Sequence, residues 1–160
     1  MRNLRNYFAA YASNYPENKI QTLLLLGEAG LGKTYLMSCL AKELQKKQED
    51  ILFISSAQLF SVFHRNRLGE CSLIQPIFDA AVLFIDDLGS EPMTQNVTKE
   101  SLFALIDGRL RAGLPTVIAA NMDISQLKQR YQERVASRML ASDTGAVFRL
   151  AGEDIRLRSC

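Results

Sequence analysis

The chain has 160 residues, 48% of them hydrophobic, which suits one domain with a sizeable core. Its 19 Lys and Arg against 17 Asp and Glu give a formal net charge of +2, too small to argue by itself for a nucleic-acid partner. Cys39, Cys71, Cys160 and the lone His64 form no CxxC or Cys/His zinc pattern, and no apolar stretch exceeds Ala80 to Ile85, so free thiols, a cytoplasmic location and no membrane partner are expected.

Residues 1–14 carry Leu4, Tyr7, Phe8 and Tyr11 at helical spacing, and Pro16 with Asn18 then marks a turn. Thr22 to Leu26 is an apolar strand bounded by Gly27, after which Leu36, Met37, Leu40, Ala41 and Leu44 share one helical face. Ile51 to Ile54 reads as a second buried strand, with Ser55 or Ser56 capping a helix that carries Leu59, Phe60 and Phe63. The polar stretch His64 to Glu70 reads as a loop. Ala81 to Ile85 is a third strand that stops at two aspartates, and Leu102, Phe103, Leu105, Ile106 and Leu110 stripe a helix ended by Gly113 and Pro115. Thr116 to Ala120 is a fourth strand ending at Asn121, helical patterning surrounds Leu127 to Leu140, and Ala146 to Leu150 is the last strand candidate. Strands that are continuous apolar runs, alternating with helices, predict a parallel sheet covered on both faces. Ligands of such sheets bind at the carboxyl ends of the strands.

Gly27 to Thr34 reads GEAGLGKT, which fits the phosphate-loop pattern G-x-x-x-x-G-K-[ST] at every fixed position and lies between a strand and a helix. Gly27, Gly30 and Gly32 let successive amides of the segment Gly27, Glu28, Ala29, Gly30, Leu31, Gly32, Lys33, Thr34 and Tyr35 point at phosphate oxygens, with the positive end of the helix dipole behind them. Lys33 would reach the terminal phosphates and Thr34 would take one position on magnesium. The bound species would be ATP or ADP with Mg2+.

In AVLFIDDLGSE, residues 81–91, a buried strand delivers Asp86 and Asp87 to the same edge of the sheet. Asp86 can hold the magnesium through water, and Asp87 can orient or deprotonate the attacking water, as a Walker B motif does, with Asp where many ATPases carry Glu. Asn121 is placed to touch the γ-phosphate and position that water without adding charge. For Glu91 two readings stand, a further acid of this motif or only a solvated loop acid. In ERVASRML, residues 133–140, Arg134 and Arg138 lie one turn apart, and either can supply a guanidinium to a neighbouring subunit's site. The bases Arg65, Arg67, Lys99, Arg109, Arg111, Lys128 and Arg130 are scattered and define no DNA surface, and Tyr7, Phe8 and Tyr11 serve packing in preference to flanking a base.

Taken in this order, the phosphate loop, LFIDDLGSEP at 83–92, Asn121, RVASRM at 134–139 and GEDIRL at 152–157 resemble the AAA+ ATPases of the DnaC/DnaI helicase-loader and IstB group. The resemblance implies a three-layer α/β P-loop NTPase core with a parallel five-stranded sheet and no sizeable C-terminal lid, in one domain over 1–160: an N-terminal helix and entry loop over 1–19 and the P-loop core over 20–160. It implies a slow, partner-stimulated ATPase with Lys33, Asp87, Asn121 and Arg138 in catalytic roles and Arg134 as the second finger candidate, and with Thr34 and Asp86 on the metal. The implied partners are the replicative DNA helicase, single-stranded DNA and further AAA+ protomers. The family's N-terminal helicase-gripping region is expected to be absent, and Arg156 is the one candidate for a second sensor. Competing readings are an IstB-like transposition helper, a P-loop small-molecule kinase, and a module that holds ATP without hydrolysing it appreciably.

Overall fold

The computed structural model describes residues 2–48, 50–70, 73–94 and 98–152. Cys71, Cys160, Arg156 and most of the GEDIRL segment lie outside the described residues. The elements run α1 (Arg2–Asn14), β1 (Thr22–Leu26), α2 (Lys33–Leu44), β2 (Ile51–Ser55), α3 (Ser56–Arg67), α4 (Ile74–Asp79), β3 (Val82–Leu88), α5 (Thr98–Arg111), β4 (Thr116–Ala120), α6 (Ile124–Met139) and β5 (Gly145–Arg149). The five strands form one parallel sheet in the order β2-β3-β4-β1-β5. β1, the first half of β3 and β4 are fully buried, as their unbroken apolar runs require of strands covered on both sides.

Alternate residues of these strands feed two cores. Leu23, Leu25, Phe84, Val117 and Ala119 pack beneath α1 and α2, while Leu24, Leu26, Ile85, Ile118 and Ala120 pack against α3, α5 and α6. In α2 the five residues of the apolar stripe are all buried. In α1, Phe8 and Tyr7 set their rings edge-on against Phe148 of β5, and the Tyr11 hydroxyl donates to the Ile20 carbonyl at 2.9 Å, so the aromatic group is packing.

Three elements differ from the sequence reading. β2, read as a buried strand, is the half-buried edge of the sheet with Phe53 41% exposed, because it pairs with β3 on one side and closes the sheet order on the other. The stretch from His64 continues α3 as far as Arg67, because the Ser55 capping box fixes the start of that helix and Phe60 and Phe63 anchor its last turns. The short helix α4 lacks a long apolar stripe and is held from outside. Arg109 of α5 is fully buried and donates to the carbonyls of Ile77, Phe78 and Ala80 at its C-terminal end, as well as to the Pro115 carbonyl and the Thr116 hydroxyl. Burial lowers this guanidinium to about 10, against the pull of Asp50 and Asp79, so it remains charged at neutral pH. Arg109 is therefore a strut between α4, α5 and β4, and no part of a nucleic-acid surface.

Candidate active site

The carboxyl ends of β1, β3 and β4 meet where β1 gives way to the loop that opens α2. Gly27 has φ 146°, and a Cβ there would sit 2.4 Å from the Leu150 carbonyl oxygen just after β5. Only glycine lets the loop leave the sheet so close to a neighbouring backbone. At the other end Gly32, in the left-handed region with φ 82°, caps α2 without a side chain and leaves the first amides of the helix facing outward. Lys33 is buried beneath the loop, where Nζ donates to the carbonyls of Gly27 at 2.7 Å and Glu28 at 2.6 Å. Charged phosphate oxygens are stronger acceptors than those neutral carbonyls, so the ammonium is poised to exchange them.

The acidic strand end departs from a regular strand. Ile85 pairs with Ile118 and Leu88 with Ala120, so Asp86 and Asp87 together oppose Ala119 alone, and Asp87 takes φ 55°. In a regular strand the two side chains would point to opposite faces; the bulge turns both towards the same cleft. Asp86 accepts from the Thr34 hydroxyl at 2.8 Å, and Asp87 accepts from the Asn121 amide at 2.5 Å. The Asp87 main chain is fixed in turn, its amide donating to Asp86 Oδ1 and its carbonyl accepting from the buried Ser56 hydroxyl at 2.7 Å.

Ala29, Gly30, Gly32, Lys33, Thr34, Tyr35, Asp86, Asp87 and Asn121 line this cleft of about 480 Å³, so most of the residues picked from sequence are brought together. Gly27, Glu28 and Leu31 face a separate groove of about 550 Å³ on the other flank of the loop, with Met122 and Arg149. Arg134 and Arg138 line neither. Arg134 lies over the Phe103 ring at 3.9 Å, and Arg138 Nε meets Asp107 Oδ1 at 2.9 Å, both on the outer face of α5 and α6.

Glu91 is a correction. Its carboxylate is fully buried, accepting from the Gly89 amide at 2.8 Å, from the Tyr131 hydroxyl and from Arg130. The loop that follows Asp87 is thereby lashed to α6. Acidic residues in loops are usually solvated, and the side-chain partners Arg130 and Tyr131, 39 and 40 positions away in sequence, reveal this one.

The residues present suit a magnesium ion. The Thr34 hydroxyl and the Asp86 carboxylate, hydrogen-bonded at 2.8 Å beside the phosphate loop, are oxygen donors of the kind magnesium takes directly or through water. Among the described residues there is no group of three His, Cys, Asp or Glu side chains that could hold a metal.

Compared with known proteins, the chain matches the family described as IstB-like ATP binding protein over residues 9–159. The chain belongs to that family. It is also 27% identical over 125 residues to the replicative helicase loader DnaI of Bacillus subtilis, covering 76% of this chain and 40% of that protein. The replicative helicase loader DnaC of Escherichia coli K12 is 24% identical over 127 residues, covering 77% and 51% respectively. This IstB-like chain thus spans at most about half the length of these relatives. A crystal structure of the DnaC helicase loader superposes with a TM-score of 0.79 at 21% identity, over 91% of this chain and 87% of that one, which establishes the shared fold. Among the described residues no helix is long and apolar enough to cross a membrane.

Proposed function

We propose that this IstB-like chain is the ATP-hydrolysing module of a cytoplasmic DNA replication helicase loader. It would assemble with further AAA+ protomers and contact single-stranded DNA while delivering the replicative helicase. The observation that carries the reading is the meeting of two side-chain pairs, Thr34 with Asp86 and Asp87 with Asn121, in one cleft beneath the phosphate loop. The loop amides from Gly27 to Tyr35 and the Lys33 ammonium bind the phosphates of ATP. Thr34, with Asp86 through water, would hold a magnesium ion, which would screen the phosphate charge.

Asp87 accepts a proton from the attacking water, and Asn121 fixes the direction in which that carboxylate points. Hydrolysis breaks the bond between the γ-phosphorus and the β,γ-bridging oxygen, leaving ADP and phosphate. Arg138, with Arg134 beside it, faces away from its own cleft, the placement a guanidinium needs to reach the site of a second protomer. Helicase delivery is tested by mixing the chain with the replicative helicase of its own host, a DNA circle and ATP. Helicase on the circle that depends on ATP and is lost in Lys33→Ala supports the reading; equal deposition by Lys33→Ala contradicts it.

A second reading is favoured by the family itself: an IstB-like helper would act with a transposase on duplex DNA. Pull-downs with helicase and transposase in parallel separate the two, since only one partner should be retained in an ATP-dependent manner.

A further inference from the structure

The outer face of α5 and α6 carries a ladder of side chains whose order assigns different work to its two arginines. On α5, Phe103, Asp107 and Arg111 follow one another at intervals of four and so share one stripe; on α6, Arg134 and Arg138 do the same. The rungs are distinct. Arg134 lays its guanidinium over the Phe103 ring at 3.9 Å, which uses the planar face of the group in packing. Arg138 lies 6.0 Å from the same ring and is gripped at its edge, Nε to Asp107 Oδ1 at 2.9 Å. The second carboxylate oxygen, Oδ2, is taken by Arg111 at 2.8 Å.

A guanidinium has five N–H donors in a rigid fork, and Nε points back along its side chain. A carboxylate that binds at Nε fixes the plane of the group while the Nη end, the part that binds phosphate oxygens in pairs, still points outward. The exposures agree with this division: the Asp107 side chain is 14% exposed and that of Arg138 49%. Asp107 is itself held between two cations, so it has little freedom to turn away.

We infer that Asp107 is a positioning residue for hydrolysis in a neighbouring protomer: it presets the orientation of Arg138, whose Nη end completes that protomer's γ-phosphate site, while Arg134 serves as the packed base of the arm. The inference rests on the arginine-finger reading above and deepens it. Fixing the plane of Arg138 before the subunits meet removes an ordering cost from each encounter, and a guanidinium misplaced by about 1 Å loses up to roughly a hundredfold in rate. Without Asp107 the arm would still reach the neighbouring site but in many orientations. Nucleotide affinity would not change, because Asp107 touches no part of its own cleft.

The test is a donor experiment with mixed subunits. Arg138→Ala subunits keep an intact cleft and lack the finger; Lys33→Ala subunits lack the cleft and keep the finger. Mixing them should restore ATP turnover at the Arg138→Ala clefts. Donors carrying Lys33→Ala with Asp107→Asn should restore about tenfold less, since asparagine offers one acceptor oxygen where the carboxylate offers two. Donors with Asp107→Glu should recover part of the loss, and the KM for ATP should be the same in all mixtures. Thermal unfolding of each donor shows that it is folded. Equal restoration by Asp107→Asn and Asp107 donors, or faster turnover with Asp107→Asn, overturns the positioning role and leaves the finger standing. Full turnover by Arg138→Ala subunits alone overturns the finger reading, and the role of Asp107 with it.

Discussion

Asn121 at the end of β4 donates its amide to Asp87 in the bulge of β3, joining two adjacent strand ends that line the cleft beside the phosphate loop. The contact fixes the rotamer of a carboxylate whose backbone is already in the left-handed region, so the water-activating oxygen has one direction available. Removing either partner should slow turnover without weakening nucleotide binding. Asp87→Asn is expected to lower kcat by about 100-fold or more and Asn121→Ala by roughly 10- to 100-fold, each with an unchanged Kd for ADP. Steady-state phosphate release and a fluorescent-nucleotide titration on the same preparations check this; a parallel loss of affinity would give Asp87 a binding role instead.

Gly27 marks the closest approach of the loop to β5. Alanine there would place a Cβ 2.4 Å from the Leu150 carbonyl oxygen in a backbone conformation that L-residues avoid. The backbone atom cannot rotate away, so Gly27→Ala should cost roughly 2 kcal/mol or more in urea unfolding and also displace the loop amides. Stability within about 0.5 kcal/mol of the parent chain would mean that the loop is looser than its contacts indicate.

Tyr131 carries a pH dependence. Burial, with the Glu91 carboxylate beside it, raises its hydroxyl well above the ordinary phenol value of 10.0. Above pH 10 the unfolded chain releases this proton and the folded chain keeps it, so the folded form binds more protons and its stability falls as pH rises, by up to about 1.4 kcal/mol per pH unit for one such group. Tyr131→Phe should be less stable at pH 7 by about 1–2 kcal/mol, from the lost hydrogen bond to a buried carboxylate. Its stability should then decline less steeply between pH 10 and 11. Tyr11, raised by burial in the same direction, and Arg109, lowered, are common to both proteins and cancel in the difference. Parallel curves in urea unfolding would show that Tyr131 is open to solvent.

Arg109 should tolerate no apolar replacement. Arg109→Met retains much of the volume but leaves the carbonyls of Ile77, Phe78, Ala80 and Pro115 without this donor. An unfolding cost of about 3 kcal/mol or more is expected, with protection of α4 amides lost first in hydrogen exchange. A cost near zero would require those carbonyls to find water.

How much of this was readable in the sequence follows from the range of each interaction. Elements set by local pattern were legible: α2 from its apolar stripe, the strands from unbroken apolar runs, the phosphate loop from glycines whose spacing matches the turn they make. The two aspartates were legible as residue types but their geometry was not. A bulge arises from pairing with β4, and the sequence LFIDDL would equally continue as a flat strand that sends Asp87 to the opposite face. The burial of Glu91 and Arg109 was not legible for the same reason, because Arg130 and Tyr131, which hold Glu91, and the carbonyls of Ile77, Phe78 and Ala80, which hold Arg109, lie 29 to 40 positions away. The ladder on α5 and α6 was half legible: the four-residue spacing of Arg134 and Arg138 was visible, and the identity of what faces each of them was not. Gln132, with φ 69° inside α6, breaks the helix between the turn that holds Tyr131 and the turn that carries the arginines, at a residue with no breaking tendency of its own.

Calorimetric titration of ATP into the folded chain with magnesium tests the central claim most directly, because every role assigned to the cleft depends on phosphate reaching the loop amides and Lys33. One ATP per chain is expected, with binding weakened by about 100-fold or more in Lys33→Ala and with its magnesium dependence abolished in Thr34→Val. Absence of heat from both ATP and ADP, or identical binding by the parent chain and Lys33→Ala, would contradict it.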